Sequence, residues 1–379
     1  MLSILDRIRE LADKVEEYAD PLSRTDLARL NLSNRLLFNE NLLLPDEYYN
    51  NIINKIRNEL SSAIRFYPSV SYKKYVTDKV AELYKIPREK LTLIAGADEG
   101  IKAMFDICKL LNIDTLVIVR PCYSLPRIYA KNYGLKIIDV LIDVENLKLP
   151  QETLENVLET LHTQGCLVYL CTPNNPLGIE FDFNDIFKLV TKFDNALFLI
   201  DETYFEFGTN DFAKLAEKVD NVVVIRSFSK SWGLAGLRLG YVVTSHDLVK
   251  LFNAILQPFN ISNLALRILE VALECYDIIR KYIEEVKILR EKFREEVISR
   301  LCKYVKRVFP SYTNFVSIEF KEFVDIRKLY SELVERGYYV RTVSEPLCEH
   351  IIRVTMAPWN ILDNLIKSIQ EIVAKLVET

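Results

Sequence analysis

Glycine is scarce in this chain, with ten residues in 379, and histidine is scarcer, with three. His162, His246 and His350 lie too far apart in sequence to suggest a metal pair, so no metal site is expected. No Cys-x-x-Cys occurs among Cys108, Cys122, Cys166, Cys171, Cys275, Cys302 and Cys348. They read as reduced, mostly buried thiols rather than a disulfide framework. No apolar run approaches the roughly 18 residues that span a bilayer. The first twenty residues carry charges throughout, which speaks against a secretion signal, and the expectation is a cytoplasmic protein without a membrane partner. An excess of basic charge is missing too: 49 Lys and Arg stand against 53 Asp and Glu, a net charge of −4. That removes the electrostatic case for nucleic acid. Internal repeats, low-complexity stretches and Gly/Ser linkers are absent. Neither the Gly-x-Gly-x-x-Gly fingerprint nor the Gly-x-x-x-x-Gly-Lys-Ser/Thr phosphate loop is present.

What is present is ordinary globular composition, half apolar and 27% charged, in a chain long enough for two domains. Ile4, Ile8, Leu11, Val15 and Tyr18 fall on one helical stripe, which predicts a helix over residues 1–18, ended at Asp20-Pro21 and docked on a larger body. Helices are expected from Asp46 and over 72–84. From Leu91 the pattern changes to strands near 91–95, 116–119, 137–142, 167–171, 196–200 and 222–225, alternating with helices. Such alternation implies crossover connections and a mostly parallel sheet. A segment free of Gly and Pro over 264–301 predicts one long helix or two abutting ones. Strands near 305–308, 315–320, 338–340 and 351–355 follow, with helices near 324–336 and 361–377. The predicted organisation is an amino-terminal segment (1–45) that joins a small domain, a large α/β domain (46–263), and a linking helix with a small α+β domain (264–379).

The motifs sit at the carboxyl ends of the predicted strands, where ligands of open α/β sheets gather. Gly96-Ala97-Asp98-Glu99-Gly100 places small residues where a strand opens into a helix, a site whose backbone N–H groups can hold an anion. Thr172-Pro173-Asn174-Asn175-Pro176-Leu177-Gly178 makes a rigid turn. Ser227-Phe228-Ser229-Lys230 puts one lysine among hydroxyls, with Arg238 eight residues on. A lysine amine that loses its proton attacks carbonyls, and burial beside a second cation helps it do so. Ile351-Ile352-Arg353-Val354-Thr355 places an arginine in an apolar strand, which is costly unless the guanidinium is paired. Its partner is either a substrate carboxylate or a protein carboxylate.

Taken together, the strings Gly96–Gly100, Arg120-Pro121-Cys122-Tyr123, Thr172–Gly178, Asp201-Glu202-Thr203-Tyr204, Ser227–Tyr241 and Ile351–Thr355 resemble, in order, the motifs of the class I/II aminotransferases that use pyridoxal phosphate (PLP). The wording of the first is most like the histidinol-phosphate aminotransferase branch. The resemblance implies fold type I, a mixed, mostly parallel sheet with a smaller α+β domain. It implies a Schiff base between PLP and Lys230, Asp201 facing the ring nitrogen, Tyr123 on the ring face, and Asn175 and Tyr204 at the phenolic oxygen. Ala97, Asp98, Ser227, Ser229 and Arg238 would surround the phosphate. Tyr67 would reach the cofactor phosphate of a neighbouring subunit, implying a homodimer. Arg353, Arg341 and Asn41 would face substrate. Lys230, Asp201 and Tyr204 would be catalytic, and the reaction would move an amino group from a small-molecule donor to a 2-oxo acid. The chain departs from the branch in two places. Asn39-Glu40-Asn41 runs into Leu42-Leu43-Leu44-Pro45 where Pro and Gly are usual, and Thr355 is followed by Met356-Ala357-Pro358. Three substrates fit nearly the same residues: histidinol phosphate in histidine biosynthesis, an aromatic or broad range of amino acids, or a phosphorylated amino acid that is decarboxylated, as in the threonine-phosphate type. A non-enzymatic PLP-dependent regulator would need a DNA-binding domain, which nothing in the sequence supplies.

Overall fold

A computed structural model describes residues 3–18 and 34–378. Helix α1 (Ile4–Ala12) stands apart from three helices that follow it, α2 (Asp46–Ile56), α3 (Leu60–Arg65) and α4 (Val70–Tyr84). Ser69 opens α4 by accepting from the Tyr72 N–H, and Lys85, at φ 55°, closes it just before Ile86-Pro87. The large sheet is then laid down by β1 (Leu91–Ile94), α5 (Ala97–Leu110), β2 (Thr115–Arg120), α6 (Leu125–Tyr133), β3 (Lys136–Leu141), α7 (Gln151–Thr160) and β4 (Cys166–Cys171). It is completed by α8 (Phe183–Lys192), β5 (Ala196–Asp201), α9 (Ala213–Ala216), β6 (Val222–Ser227), β7 (Gly240–Thr244) and α10 (His246–Ile255). The spatial order is β1-β7-β6-β5-β4-β2-β3, parallel except that β7 runs antiparallel to both its neighbours. This is the mixed, mostly parallel sheet that the alternating pattern predicts.

Helices cover both faces, so the central strands are buried throughout: every residue of β4, β6 and β7 is shielded. Alternate residues serve opposite cores. Cys166, Val168 and Leu170 enter one cluster, and Leu167, Tyr169 and Cys171 enter the other. That division puts Tyr169 and Cys171 on the face covered by α5 and α10.

The remaining chain forms α11 (Asn263–Leu273), α12 (Tyr276–Leu301), β8 (Val305–Val308), β9 (Phe315–Phe320), α13 (Ile326–Glu335), β10 (Arg341–Thr342), β11 (Ile351–Thr355) and α14 (Trp359–Glu378). Its four strands make a separate antiparallel sheet in the order β10-β11-β9-β8, with α12, α13 and α14 packed around it. Residues 34–41 bind to this small sheet from outside. The Leu36 N–H donates to Tyr339 O at 2.8 Å, and the Thr355 N–H donates to Leu36 O at 3.0 Å.

Of the two alternatives for residues 264–301 the chain takes the pair of abutting helices, turning at Glu274-Cys275. Three local expectations change. The strand expected over 338–340 lies later, at Arg341–Thr342, since Gly337 at φ 84° is still closing α13. Strand β7 was not anticipated, hidden behind the lysine motif that leads into it. The first helix ends at Ala12 rather than near residue 20, and its stripe is open to solvent, with Ile4 63% and Leu11 59% exposed. Beyond it, both the N–H and the carbonyl of Glu16 are held by the Asn132 side-chain amide, at 2.8 and 2.9 Å. That clamp draws residues 15–18 out of helical geometry and along α6. Asp20-Pro21, the expected stop, lies outside the described residues.

Candidate active site

The carboxyl ends of β2, β4, β5 and β6 converge on a cavity of about 480 Å³ whose far wall is the small sheet. Its size is within the range of roughly 300–1,000 Å³ usual for small-molecule sites. Ala97, Asp98, Tyr123, Asn175, Asp201, Tyr204, Ser227, Ser229, Lys230, Arg238, Arg341 and Arg353 all line it. Residues spread over more than 250 positions of sequence thus meet at one place, as the strand-end location of their motifs implies.

One end of the cavity is built by backbone. Gly96 takes φ 81°, and α5 starts at the next residue, leaving first-turn N–H groups at Ala97 and Asp98 without partners inside the helix. A Cβ on Gly96 would lie 2.8 Å from Arg238 Nη2, so only glycine lets the guanidinium lie against the turn. Arg238 Nη2 donates to Asp98 Oδ2 at 2.8 Å, and the Tyr123 hydroxyl donates to Asp98 Oδ1 at 3.2 Å. The Asp98 carboxylate therefore orients its neighbours, and the residue's contribution to anion binding is its backbone N–H. Ser227 and Ser229 are buried beside this turn.

The Lys230 amine lies at the centre and donates to Phe38 O at 2.7 Å. Burial and the Arg353 and Arg238 cations lower its pKa to about 8, against the opposing carboxylates of Glu40 and Asp98. Roughly one amine in ten is thus unprotonated at pH 7, far more than for an ordinary lysine, and the unprotonated form is the one that attacks. Asp201 is buried. Its Oδ1 accepts from the Thr203 N–H at 3.0 Å and its Oδ2 from the Tyr169 hydroxyl at 2.8 Å. Burial raises this carboxyl above its ordinary value, and these donors oppose the rise. The Tyr204 hydroxyl accepts from Asn39 Nδ2 at 2.7 Å, which leaves its own proton to donate into the cavity.

The Arg353 guanidinium is buried and donates to Asn175 Oδ1 and to Leu37 O, while its Nε has no partner. Among the described residues no carboxylate pairs with it. Burial lowers its pKa to about 10. Arg341 stands directly opposite it in the β10–β11 register and also lacks a protein ion pair among the described residues. Two uncompensated guanidinium groups on one cavity wall form a strong anion site.

Two expected residues lie elsewhere. Asn41 does not line the cavity: its side chain donates to Ser231 O and accepts from the Leu43 and Leu44 N–H groups, consumed by the turn that replaces the usual Pro and Gly. Asn39, two residues earlier and left-handed at φ 55°, turns inward instead. Tyr67 is on the outer surface, 80% exposed and stacked on Phe259 at 4.9 Å. Tyr18 and Glu345, which carried no site signal in the sequence, also line the cavity, as do Asn39 and Glu40 from the loop whose Asn41 was expected to face substrate. Tyr18 meets the Tyr123 ring edge-on with 6.3 Å between centroids. Glu345 pairs with Arg120 at 2.9 Å across the two domains. The repeated Asn of Asn39-Glu40-Asn41 was the only signal for Asn39, since Asn tolerates left-handed backbone.

The donor set fits PLP: a turn for its phosphate, a lysine of lowered pKa, and a buried carboxylate for its ring nitrogen. Residues 32–369 match the family described as "Aminotransferase class I and II". The chain belongs to that family and is a PLP-dependent transaminase. It is 30% identical to a histidinol-phosphate aminotransferase of Thermoanaerobacter sp. (strain X514) over 87% of this chain and 90% of that protein. It is 28% identical to a dihydroxyacetone phosphate transaminase of Campylobacter jejuni, with 90% of each chain covered. Its fold is similar to the crystal structure of histidinol-phosphate aminotransferase from Sinorhizobium meliloti in complex with pyridoxal-5'-phosphate, with a TM-score of 0.84, 20% identity and 97% of both chains covered.

Proposed function

We propose that this enzyme transfers the amino group of histidinol phosphate to 2-oxoglutarate, and that it works as a cytoplasmic homodimer. The observation that carries the substrate reading is the pair Arg341 and Arg353, register partners on the wall of the Lys230 cavity that form no ion pair among the described residues. One donor brings a phosphate dianion and the acceptor brings two carboxylates, so each half-reaction needs such a wall. The relatives named for phosphorylated substrates support the same reading.

When bound, PLP supplies an electron-withdrawing ring that stabilises charge at the carbon bearing the amino group. The chain's residues do the rest. Lys230 Nζ would hold the cofactor and, when free, its amine would carry the proton from the donor's amino-bearing carbon to the cofactor side rather than back to that carbon. Asp201 would keep the ring nitrogen protonated, Tyr123 would cover the ring face, and Asn175 and Tyr204 would hold the phenolic oxygen. Asn175 suits this role because Arg353 occupies its Oδ1, leaving the Nδ2 to donate. Ala97, Asp98, Ser227, Ser229 and Arg238 take the phosphate. Arg353 orients the acceptor's carboxylate, and Arg341 the second anionic group.

Tyr67 supports the dimer. Ile64, Phe66 and Val70 are exposed around it, an apolar face suited to an isologous pairing in which Tyr67 reaches its partner's cofactor phosphate. Sedimentation of the active enzyme should give a dimer, and an active monomer would refute this. For substrate, the holoenzyme is mixed with a panel of donors while its spectrum is followed for conversion to the pyridoxamine form, with CO₂ release measured alongside. Histidinol phosphate should convert it, and Arg341→Ala should weaken that conversion by about 100-fold, the scale of one buried charge-assisted contact. Conversion by phenylalanine or tyrosine alone, or stoichiometric CO₂ from a phosphorylated amino acid, would overturn the reading.

A further inference from the structure

Asp201 is not held by its own strand alone. Tyr169 lies on β4, two residues before Cys171, and Cys171 is the register partner of Asp201 on β5. Tyr169 and Cys171 share one face of the sheet, so the tyrosine is the diagonal neighbour of the carboxylate. A strand side chain of this length leans along the strand, and the Tyr169 hydroxyl reaches Asp201 Oδ2 at 2.8 Å. Both residues are buried, Tyr169 completely. The Tyr169 hydroxyl is sealed inside the sheet with no water as an alternative partner, so the bond is worth more than it would be at the surface. Tyr169 does not line the cavity itself.

We propose that Tyr169 is a positioning residue for the reaction: by donating to Asp201 Oδ2 it fixes the direction of the carboxylate and keeps the shared proton on the cofactor's ring nitrogen rather than on Asp201. This rests on the reading that Asp201 faces that nitrogen. The direction follows from elementary acid–base chemistry. A donor to a carboxylate lowers the carboxylate's own affinity for a proton. Without the tyrosine, Asp201 is a stronger base in an apolar setting, and the proton between it and the ring nitrogen moves toward the oxygen. The ring then withdraws electrons less well. Burial, which already raises the Asp201 carboxyl, makes the site sensitive to the loss of a single donor. The burial of Tyr169 likewise keeps its phenol protonated and so a donor.

The experiment uses holoenzyme reconstituted with PLP carrying ¹⁵N in the ring, in the wild type, Tyr169→Phe and Asp201→Asn. Tyr169→Phe should move the ¹⁵N resonance part of the way toward the unprotonated position, and Asp201→Asn should move it further. Turnover in Tyr169→Phe should fall about ten- to hundredfold, the range of a hydrogen bond to a charged group, with the donor KM changed by less than about twofold. A cofactor analogue with carbon in place of the ring nitrogen should bind wild type and Tyr169→Phe equally. If Tyr169→Phe folds poorly, site-specific 3-fluorotyrosine at 169, a stronger donor, keeps the shape and should move the resonance the opposite way. An unchanged resonance in Tyr169→Phe beside a shifted one in Asp201→Asn would overturn the role of Tyr169 alone. An unchanged resonance in both would overturn the Asp201 reading and this inference with it.

Discussion

The lowered basicity of Lys230 can be measured directly. The apoenzyme is treated with trace acetic anhydride at a series of pH values, and acetylation at Lys230 is quantified by mass spectrometry against an exposed lysine such as Lys281. Only the unprotonated amine reacts. With a pKa of about 8, roughly one amine in ten is unprotonated at pH 7, whereas an ordinary lysine at about 10.4 offers on the order of one in 3,000. Lys230 should therefore react about 300-fold faster than its exposure alone allows, with labelling that rises tenfold per pH unit and levels off near pH 8. Burial is the first cause of the shift and Arg353 the second. Arg353→Met removes the nearer cation, so its labelling curve should break at higher pH. The sign carries over to stability. Between pH 8 and 10.5 the unfolded chain holds more protons at this site than the folded one, so apoenzyme stability contributed by Lys230 rises with pH across that window. A break near 10.5 in the wild type, or no movement in Arg353→Met, would refute the electrostatic account of this site.

Two further substitutions probe its supports. Gly96→Ala strains a φ of 81° and drives a Cβ to 2.8 Å from the Arg238 guanidinium, so PLP affinity should fall by about 10- to 100-fold, on the scale of one to three kcal/mol of backbone strain, as read by equilibrium dialysis. Arg226 is buried between Glu202, at 2.7 Å, and Asp211, with its guanidinium 3.4 Å from the centre of the Phe205 ring. Arg226→Met leaves the buried Glu202 carboxylate without a cation and should cost about 3–5 kcal/mol, seen in a chain of 379 residues as a melting temperature roughly 5 °C lower; an unchanged melt would show the cluster to be structurally idle.

The large domain was legible because its strands are short apolar runs whose motifs all fall just past their ends, a coincidence that only a shared strand-end crevice explains. The small sheet was legible in its longer strands but not in β10, which is only two residues long and has no periodicity to read. The apolar stripe on α1 was visible, but its exposure was not, because a stripe records what a helix can bury and not whether a partner is within reach. The cofactor residues were named through the resemblance of six strings to the aminotransferase motifs, and, Tyr67 apart, they line one cavity. Asn39 was not, because what separates it from Asn41 is a backbone angle and a substituted turn. Tyr169 gave no signal either. In a strand buried on both faces an aromatic is the ordinary filler, and its hydroxyl acquires meaning only from the carboxylate on the next strand.

The site is divided between its two sheets. Residues assigned to the cofactor come from the large sheet's strand ends, while Arg341 and Arg353 come from β10 and β11 of the small one. Strand β10 is the outermost and shortest strand of its sheet, and a loop of eight residues, 343–350, separates it from β11. Insertions and exchanges in that loop leave the lysine, its carboxylate and the phosphate turn untouched. The groups that would choose the amino donor are thus on a sheet edge, apart in the chain from the lysine and carboxylate they serve.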